Sequence, residues 1–239
     1  MSQIIEILEY LKKYPVFTNI VVQNKLDKNS AYTKLFLHRL AKRGLIYRIE
    51  KNKYTVFNDP FLVASRIAWP SYISCWSSLK YHNLTEQIPH NIYVIATKNR
   101  KQIRFNNTQI IFIKINSKNF FGYEKIKYGN FEIFIADKEK SIIDSALLKK
   151  VSFSELQEII SNHIKDINAK KFLHYLKKIG NRSLIKRLGY MFEKVGKNYY
   201  NKLKKDIDAT YIILDYSKKI KINKGIIKRN NKWRVITNA

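Results

Sequence analysis

Ser30-Ala31-Tyr32-Thr33-Lys34-Leu35-Phe36-Leu37-His38-Arg39-Leu40-Ala41-Lys42-Arg43-Gly44-Leu45-Ile46-Tyr47-Arg48-Ile49-Glu50-Lys51-Asn52-Lys53-Tyr54-Thr55-Val56-Phe57 is the stretch on which the fold turns. Ser30 is a suitable N-cap, so a helix is expected over Ala31 to Arg43. Leu37, Leu40 and Leu45 belong to its core side, and Tyr32, Lys34, His38, Arg39 and Lys42 are the polar or amphipathic positions left over. Gly44 stands where a left-handed C-terminal cap is needed. Leu45 to Ile49 then reads as a strand, Glu50 to Lys53 as a polar tip and Tyr54 to Phe57 as the returning strand. Upstream, Ile4, Ile5, Leu8 and Leu11 recur at helical spacing until Pro15. Thr18 suits the N-cap of a second short helix, Asn19 to about Lys25, and Leu26 to Asn29 make a turn. Three helices followed by a hairpin is the order of a winged helix-turn-helix, whose third helix enters the major groove.

That order assigns roles to cations. Ser30 and Lys34, near the start of the third helix, sit where such helices meet bases or phosphates. Tyr32, His38, Arg39 and Lys42 complete its polar face, although Arg39 can instead brace the helix against the wing. Arg48, Lys51 and Lys53 decorate the hairpin, where a cation meets phosphate or reaches the minor groove.

Composition points the same way. The 239 residues carry 46 Lys and Arg against 18 Asp and Glu, a formal charge of +28. Such a chain attracts polyanions, nucleic acid first and an anionic membrane surface second. Abundant Lys, Ile, Asn and Tyr are also what an AT-rich genome produces, so the charge informs only where it coincides with a motif. Basic residues outnumber acidic ones by eleven to five in 1–60, fourteen to six in 61–150 and twenty-one to seven in 151–239. Cys75 is the only cysteine, which excludes an intramolecular disulfide and a Cys-based zinc site and fits a reducing cytoplasm. Met1-Ser2-Gln3 opens no signal peptide, and no run approaches the ~18 apolar residues of a membrane span. A cytoplasmic protein without membrane contact is expected.

A boundary is expected near Asn58-Asp59-Pro60, giving a DNA-binding domain at 1–58 and an α+β body at 59–239 that can be subdivided near 150. Phe61 to Ala68 and Ser71 to Tyr81 read as helices separated by Pro70. Asn91–Thr97, Lys101–Arg104, Gln109–Ile115, Gly122–Tyr128 and Phe131–Ile135 read as strands, and Asp137 opens a helix through Lys149. Helices follow at Ser154 to Asn162, Ala169 to Ile179 and Ser183 to Val195, then short strands at Tyr211–Leu214 and Lys232–Ile236. The expected fold is therefore α+β: an N-terminal winged helix-turn-helix, then a mixed α/β body with a small sheet and several helices.

With these elements placed, the chain resembles the AbiEi family of abortive-infection antitoxins. The residues that carry the resemblance are Arg39–Ile49 leading into Lys53-Tyr54-Thr55-Val56, then Val63–Ile67 with Ser71–Pro89, then Ile135–Asp144, and more weakly Arg187–Glu193. It covers roughly residues 1–195, and the second and third blocks are the most specific. Two positions depart from the family pattern. The wing tip has Asn52-Lys53 where Gly usually precedes the Tyr, and Asn83 stands where Gly usually follows Tyr81-His82, although Asn also tolerates positive φ. The resemblance implies a viral-defence or toxin–antitoxin regulator that represses its own operon and antagonises a nucleotidyltransferase-like toxin.

Other constellations carry less. Asp137-Lys138-Glu139-Lys140 after a strand invites a metal-nuclease reading, but an N-cap aspartate with a first-turn carboxylate explains it better. His38, His82, His90, His163 and His174 show no metal-ligand spacing, so no metal and no cofactor are expected. Neither a GxSxG elbow nor a phosphate-binding glycine loop is present, so an enzyme is not expected. Trp69, Trp76 and Trp233 are expected in a core or an interface rather than as base-stacking platforms. The basic run Lys218 to Arg229 is equally well a phosphate-binding surface or a solvated hairpin. The expected partner is an operator in double-stranded DNA, and specific winged-helix sites are usually paired, which is compatible with a homodimer on DNA. Two readings stand beside this one: a nucleic-acid-processing enzyme with a winged-helix targeting module, and a protein-interaction module that does not bind DNA.

Overall fold

The structure is a computed structural model that describes residues 3–216 and 227–238. Residues 1–2, 217–226 and 239 lie outside it, and with them the expected N-terminal Met1-Ser2 and most of the basic run from Lys218. The fold is mixed α+β with small sheets. Among the described residues no helix is long and apolar enough to cross a membrane.

The N-terminal elements run α1 (Gln3–Leu11), β1 (Phe17–Thr18), α2 (Asn19–Leu26), α3 (Ser30–Lys42), β2 (Tyr47–Glu50) and β3 (Lys53–Thr55). In α1 Ile7 and Leu11 are buried and Ile4 and Leu8 pack against the same cluster, so the expected stripe holds at Ile4, Leu8 and Leu11, while Ile5 is half exposed and Ile7 takes its place in the core. Ile7, Leu11, Phe17, Val22, Leu37, Leu40 and Ile46 close one apolar cluster. The strands form a sheet ordered β1-β3-β2, with Phe17 opposite Tyr54 and Arg48 opposite Tyr54 on its other side.

Next come α4 (Pro60–Arg66), β4 (Ser71–Ser74), α5 (Trp76–Tyr81), β5 (Asn91–Ala96), β6 (Ile103–Phe105), β7 (Thr108–Lys114), β8 (Tyr123–Tyr128), β9 (Phe131–Ala136) and α6 (Lys138–Leu147). The sheet order is β6-β7-β5-β4-β9-β8; β5 and β7 are parallel, as are β4 and β9. The expected helix from Ser71 to Tyr81 is corrected here: its first four residues are a strand. All four are buried, because β4 is an interior strand, and such a strand shows no alternation to read. Cys75, at φ 57°, turns the chain from β4 into α5. Asn83 takes φ 56°, a conformation that Asn adopts more readily than most residues.

The remaining elements are α7 (Phe153–Asn162), α8 (Ala169–Ile179), α9 (Arg182–Lys194), α10 (Tyr200–Leu203), β10 (Ile212–Ile213), β11 (Ile227–Asn230) and β12 (Val235–Asn238). Ser152 and Glu155 make a reciprocal capping box at the start of α7. β12 lies between β10 and β11. Trp233, just before β12, is fully buried over Gly189 of α9, where a Cβ would stand 2.1 Å from the indole.

Two compact units result. The first comprises residues 1–73, 90–115 and 125–135, and the second 74–89, 116–124 and 136–239. The first has the N-terminal cluster and a second one built on Val63, Ile73, Val94, Ile110 and Ile135. Ile49 of β2 belongs to this second cluster, so the N-terminal hairpin and the strands of the first unit share a core.

Candidate nucleic-acid interface

The third helix forms because its apolar residues fall on one face and its start is capped. The cap is Asn29, not Ser30: the Asn29 carboxamide oxygen accepts from the Tyr32 amide at 2.9 Å, and Ser30 is the first helical residue. Both side chains can cap, and Asn29 holds the extended backbone (φ −68°, ψ 167°) that the position demands. Thr33, Leu37 and Leu40 are buried. At 3.6 residues per turn, the opposite side presents Ala31, Leu35, His38 and Lys42, flanked by Tyr32 and Arg39 on one edge and Lys34 on the other. All seven are exposed, and Ser30 is half-buried. No carboxylate occurs anywhere in α3. Its last turn carries Arg39 and Lys42, where cations suit the helix dipole. Gly44, at φ 68°, ends it as the sequence requires.

The hairpin divides its cations. Arg48 and Lys51 are exposed, and Asn52 turns the tip with φ 61°. Lys53 is held inward. Its ammonium donates to the Ile67 carbonyl at 3.0 Å and lies 3.1 Å from the Glu50 carboxylate, which Arg100 also grips. Burial pushes the Glu50 carboxyl up, but the hydrogen bonds from Arg100 and Lys53 outweigh it and hold the group below the ordinary glutamate value. Of the hairpin residues read from sequence, Arg48 and Lys51 are thus exposed, while Lys53 fastens the hairpin's base.

The sequence matches no protein-family model and no curated protein.

Nine residues were singled out by sequence, and seven of them stand exposed on α3 and the hairpin: Tyr32, Lys34, His38, Arg39, Lys42, Arg48 and Lys51. Sequence reasoning missed Leu35. It is 48% exposed in the middle of the polar face. The signal was available, since Leu35 falls outside the Thr33, Leu37 and Leu40 stripe, but a leucine in a helix defaults to the core. Ala31 and Arg43 are exposed as well and were likewise not singled out.

The second unit shows what became of the other candidate residues. Asp137 caps α6, taking the Lys140 amide at 2.8 Å on one oxygen, and the Tyr175 hydroxyl at 2.8 Å and the Lys171 ammonium at 3.1 Å on the other. Glu139 accepts the Asn168 amide at 2.8 Å and faces Lys171 at 3.3 Å. Asp144 accepts from Ser74 Oγ at 2.9 Å and pairs with Lys140, both side chains being essentially without solvent. Burial and the adjoining Asp137 push the Tyr175 hydroxyl well above its ordinary value. These carboxylates therefore work within the fold, holding α6 and α8. His82 makes a 2.7 Å hydrogen bond with the Ala136 carbonyl, and among the described residues no group of three or more His, Cys, Asp or Glu is placed to hold a metal. Trp69, expected in a core or interface, is 65% exposed.

Proposed function

We propose that residues 3–57 are a winged helix-turn-helix that binds duplex DNA, and that the protein is a sequence-specific transcriptional regulator rather than an enzyme. One observation carries the reading: the outward face of α3 is exposed along its whole length, holds Lys34, His38, Arg39 and Lys42 without a carboxylate, and is followed by a hairpin with Arg48 and Lys51 open. The DNA backbone attracts such a face, and the major groove admits a helix of its width. Leu35 supplies an apolar contact of the kind that reads a thymine methyl, Arg39 a fork for guanine, and Arg48 and Lys51 the phosphate contacts that fix register.

The similarity to AbiEi antitoxins extends the proposal to autorepression in a cytoplasmic toxin–antitoxin or viral-defence locus, with a nucleotidyltransferase-like toxin as functional partner. The test is a footprint on the DNA upstream of its own gene at physiological salt. A protected segment, with two copies on an inverted repeat, supports a repressor. Uniform coating of unrelated DNA overturns the specific-regulator reading, and binding that ignores salt overturns phosphate contact altogether.

A further inference from the structure

The first unit contains a second gathering of cations, apart from those on α3. A cavity of about 310 Å³ is lined by Lys53, Trp69, Lys98, Asn99 and Arg100, with small and apolar residues completing the wall. Among the described residues no carboxylate lines it. Glu50 answers two of the three cations, Lys53 and Arg100, which leaves the charge unbalanced. Lys98 and Asn99 are exposed. Arg100 is fixed in place by Glu50 and by stacking its guanidinium 5.0 Å from the Phe112 ring centre, yet its Nε is buried and has no hydrogen-bond partner among the described residues. A buried donor in that state calls for an acceptor.

Trp69 adds a different chemistry. Its indole leans on Phe134, with 5.4 Å between ring centres, and is otherwise 65% open. An exposed indole beside a cationic pocket can stack on a planar ring whose charged end the cations take. Arg and Lys favour phosphate oxygens, and the Asn99 carboxamide offers a donor and an acceptor to the edge of a base. The volume falls at the lower end of the range for small-ligand sites.

We propose that this cavity binds a nucleoside monophosphate, with the base stacked on Trp69 and the phosphate held by Lys98 and Arg100. The ligand is either a free nucleotide or an unstacked nucleotide of a single strand; the chemistry of the site is the same for both. The proposal does not depend on α3 contacting duplex DNA.

Calorimetric titration of the full chain with AMP, GMP, CMP and UMP, with inorganic phosphate and uncharged nucleosides as comparisons, tests it. Saturable binding of at least one monophosphate is expected, tighter than inorganic phosphate by about tenfold or more because stacking adds to charge. Lys98→Ala and Trp69→Ala should each weaken it by about tenfold, with melting temperatures near that of the parent protein because both side chains are exposed. A trinucleotide that binds more tightly than the monophosphate assigns the site to a strand, and one that binds more weakly assigns it to the free nucleotide. Absence of saturable binding by all four monophosphates overturns the proposal. So does binding that inorganic phosphate equals, or that Lys98→Ala and Trp69→Ala leave unchanged.

Discussion

α3 and α6 are similar in length and both mix charged with apolar residues, yet they use charge in opposite ways. In α3 the charged residues Lys34, Arg39 and Lys42 all face solvent. In α6 Glu139, Lys140 and Asp144 are buried, and each is held by a named partner. A charge in water is available to a partner; a charge in the interior is already committed and carries a desolvation cost. The difference shows that a basic composition by itself does not locate a binding surface, since some of the cations that sum to the net charge are structural.

The sharpest way to break this comparison is at Asp144. Asp144→Ala breaks the buried pair that Asp144 makes with Lys140, and breaking such a pair from one side costs about 3–5 kcal/mol. Urea unfolding checks it. The double change Lys140→Met with Asp144→Leu should recover much of the stability, because an apolar pair of similar volume carries no unpaired charge. A single variant within about 0.5 kcal/mol of the parent, the range of ordinary surface substitutions, would place α6 in the same class as α3.

The opposite result is expected of the exposed helix. Changing Tyr32, Leu35, His38 and Arg39 together to Ala should leave unfolding within a few tenths of a kcal/mol per site. Operator binding should fall by about 1–3 kcal/mol for each side chain that reads a base. Binding isotherms on the footprinted segment and on scrambled DNA separate the two effects, and an unchanged ratio between them would show that α3 is not the reader.

Smaller effects sharpen the picture. Asn29→Ala should cost about 1 kcal/mol through loss of the cap, whereas Ser30→Ala should cost much less, since the carboxamide of Asn29 makes the bond. Chemical denaturation of the two variants distinguishes them. On the hairpin, Lys51→Ala should leave stability alone and reduce the salt slope of DNA binding by about one. Lys53→Ala should instead loosen the hairpin base while changing the slope less, because its ammonium is engaged by Ile67 and Glu50.

The least of these effects concerns pH. The Glu50 carboxyl is depressed in the folded state, so its stabilisation is complete above the unfolded glutamate value and disappears as pH falls through the lowered folded value. Glu50→Gln should flatten that limb of an acid-unfolding curve. An acid limb of the same steepness in the variant would assign the pH dependence to other carboxylates.

Much of the fold was legible because its helices are amphipathic and capped. α8 runs over the residues that its spacing implies, and Asp137 caps α6 as its position before an apolar run suggests. β4 was not legible, because a strand buried on both faces presents the same unbroken run as a buried helix, and Ile73, Trp76 and Leu79 happen to repeat at helical distance. At the candidate interface the exposed cations of α3 could be read from their places between leucines. The inward turn of Lys53 could not, because Arg100 and Ile67, which make the clamp with Glu50, are remote in sequence. The exposure of Leu35 was readable in principle and was hidden by its residue type.

The seat of Trp233 on Gly189 bears on how the chain comes into being. The core of the second unit includes this indole, which a ribosome adds after α9, whose last residue is Lys194. Until then α9 carries an indole-sized gap along its inner side. The N-terminal cluster has no such wait, since all its members fall between Ile4 and Val56. The third helix can therefore condense early during synthesis, whereas the hairpin completes its packing through Ile49 only with partners as far on as Ile135, and α9 completes its own only after residue 233 is added. Stalled nascent chains of increasing length, probed with protease, should show protection of α3 well before that of α9.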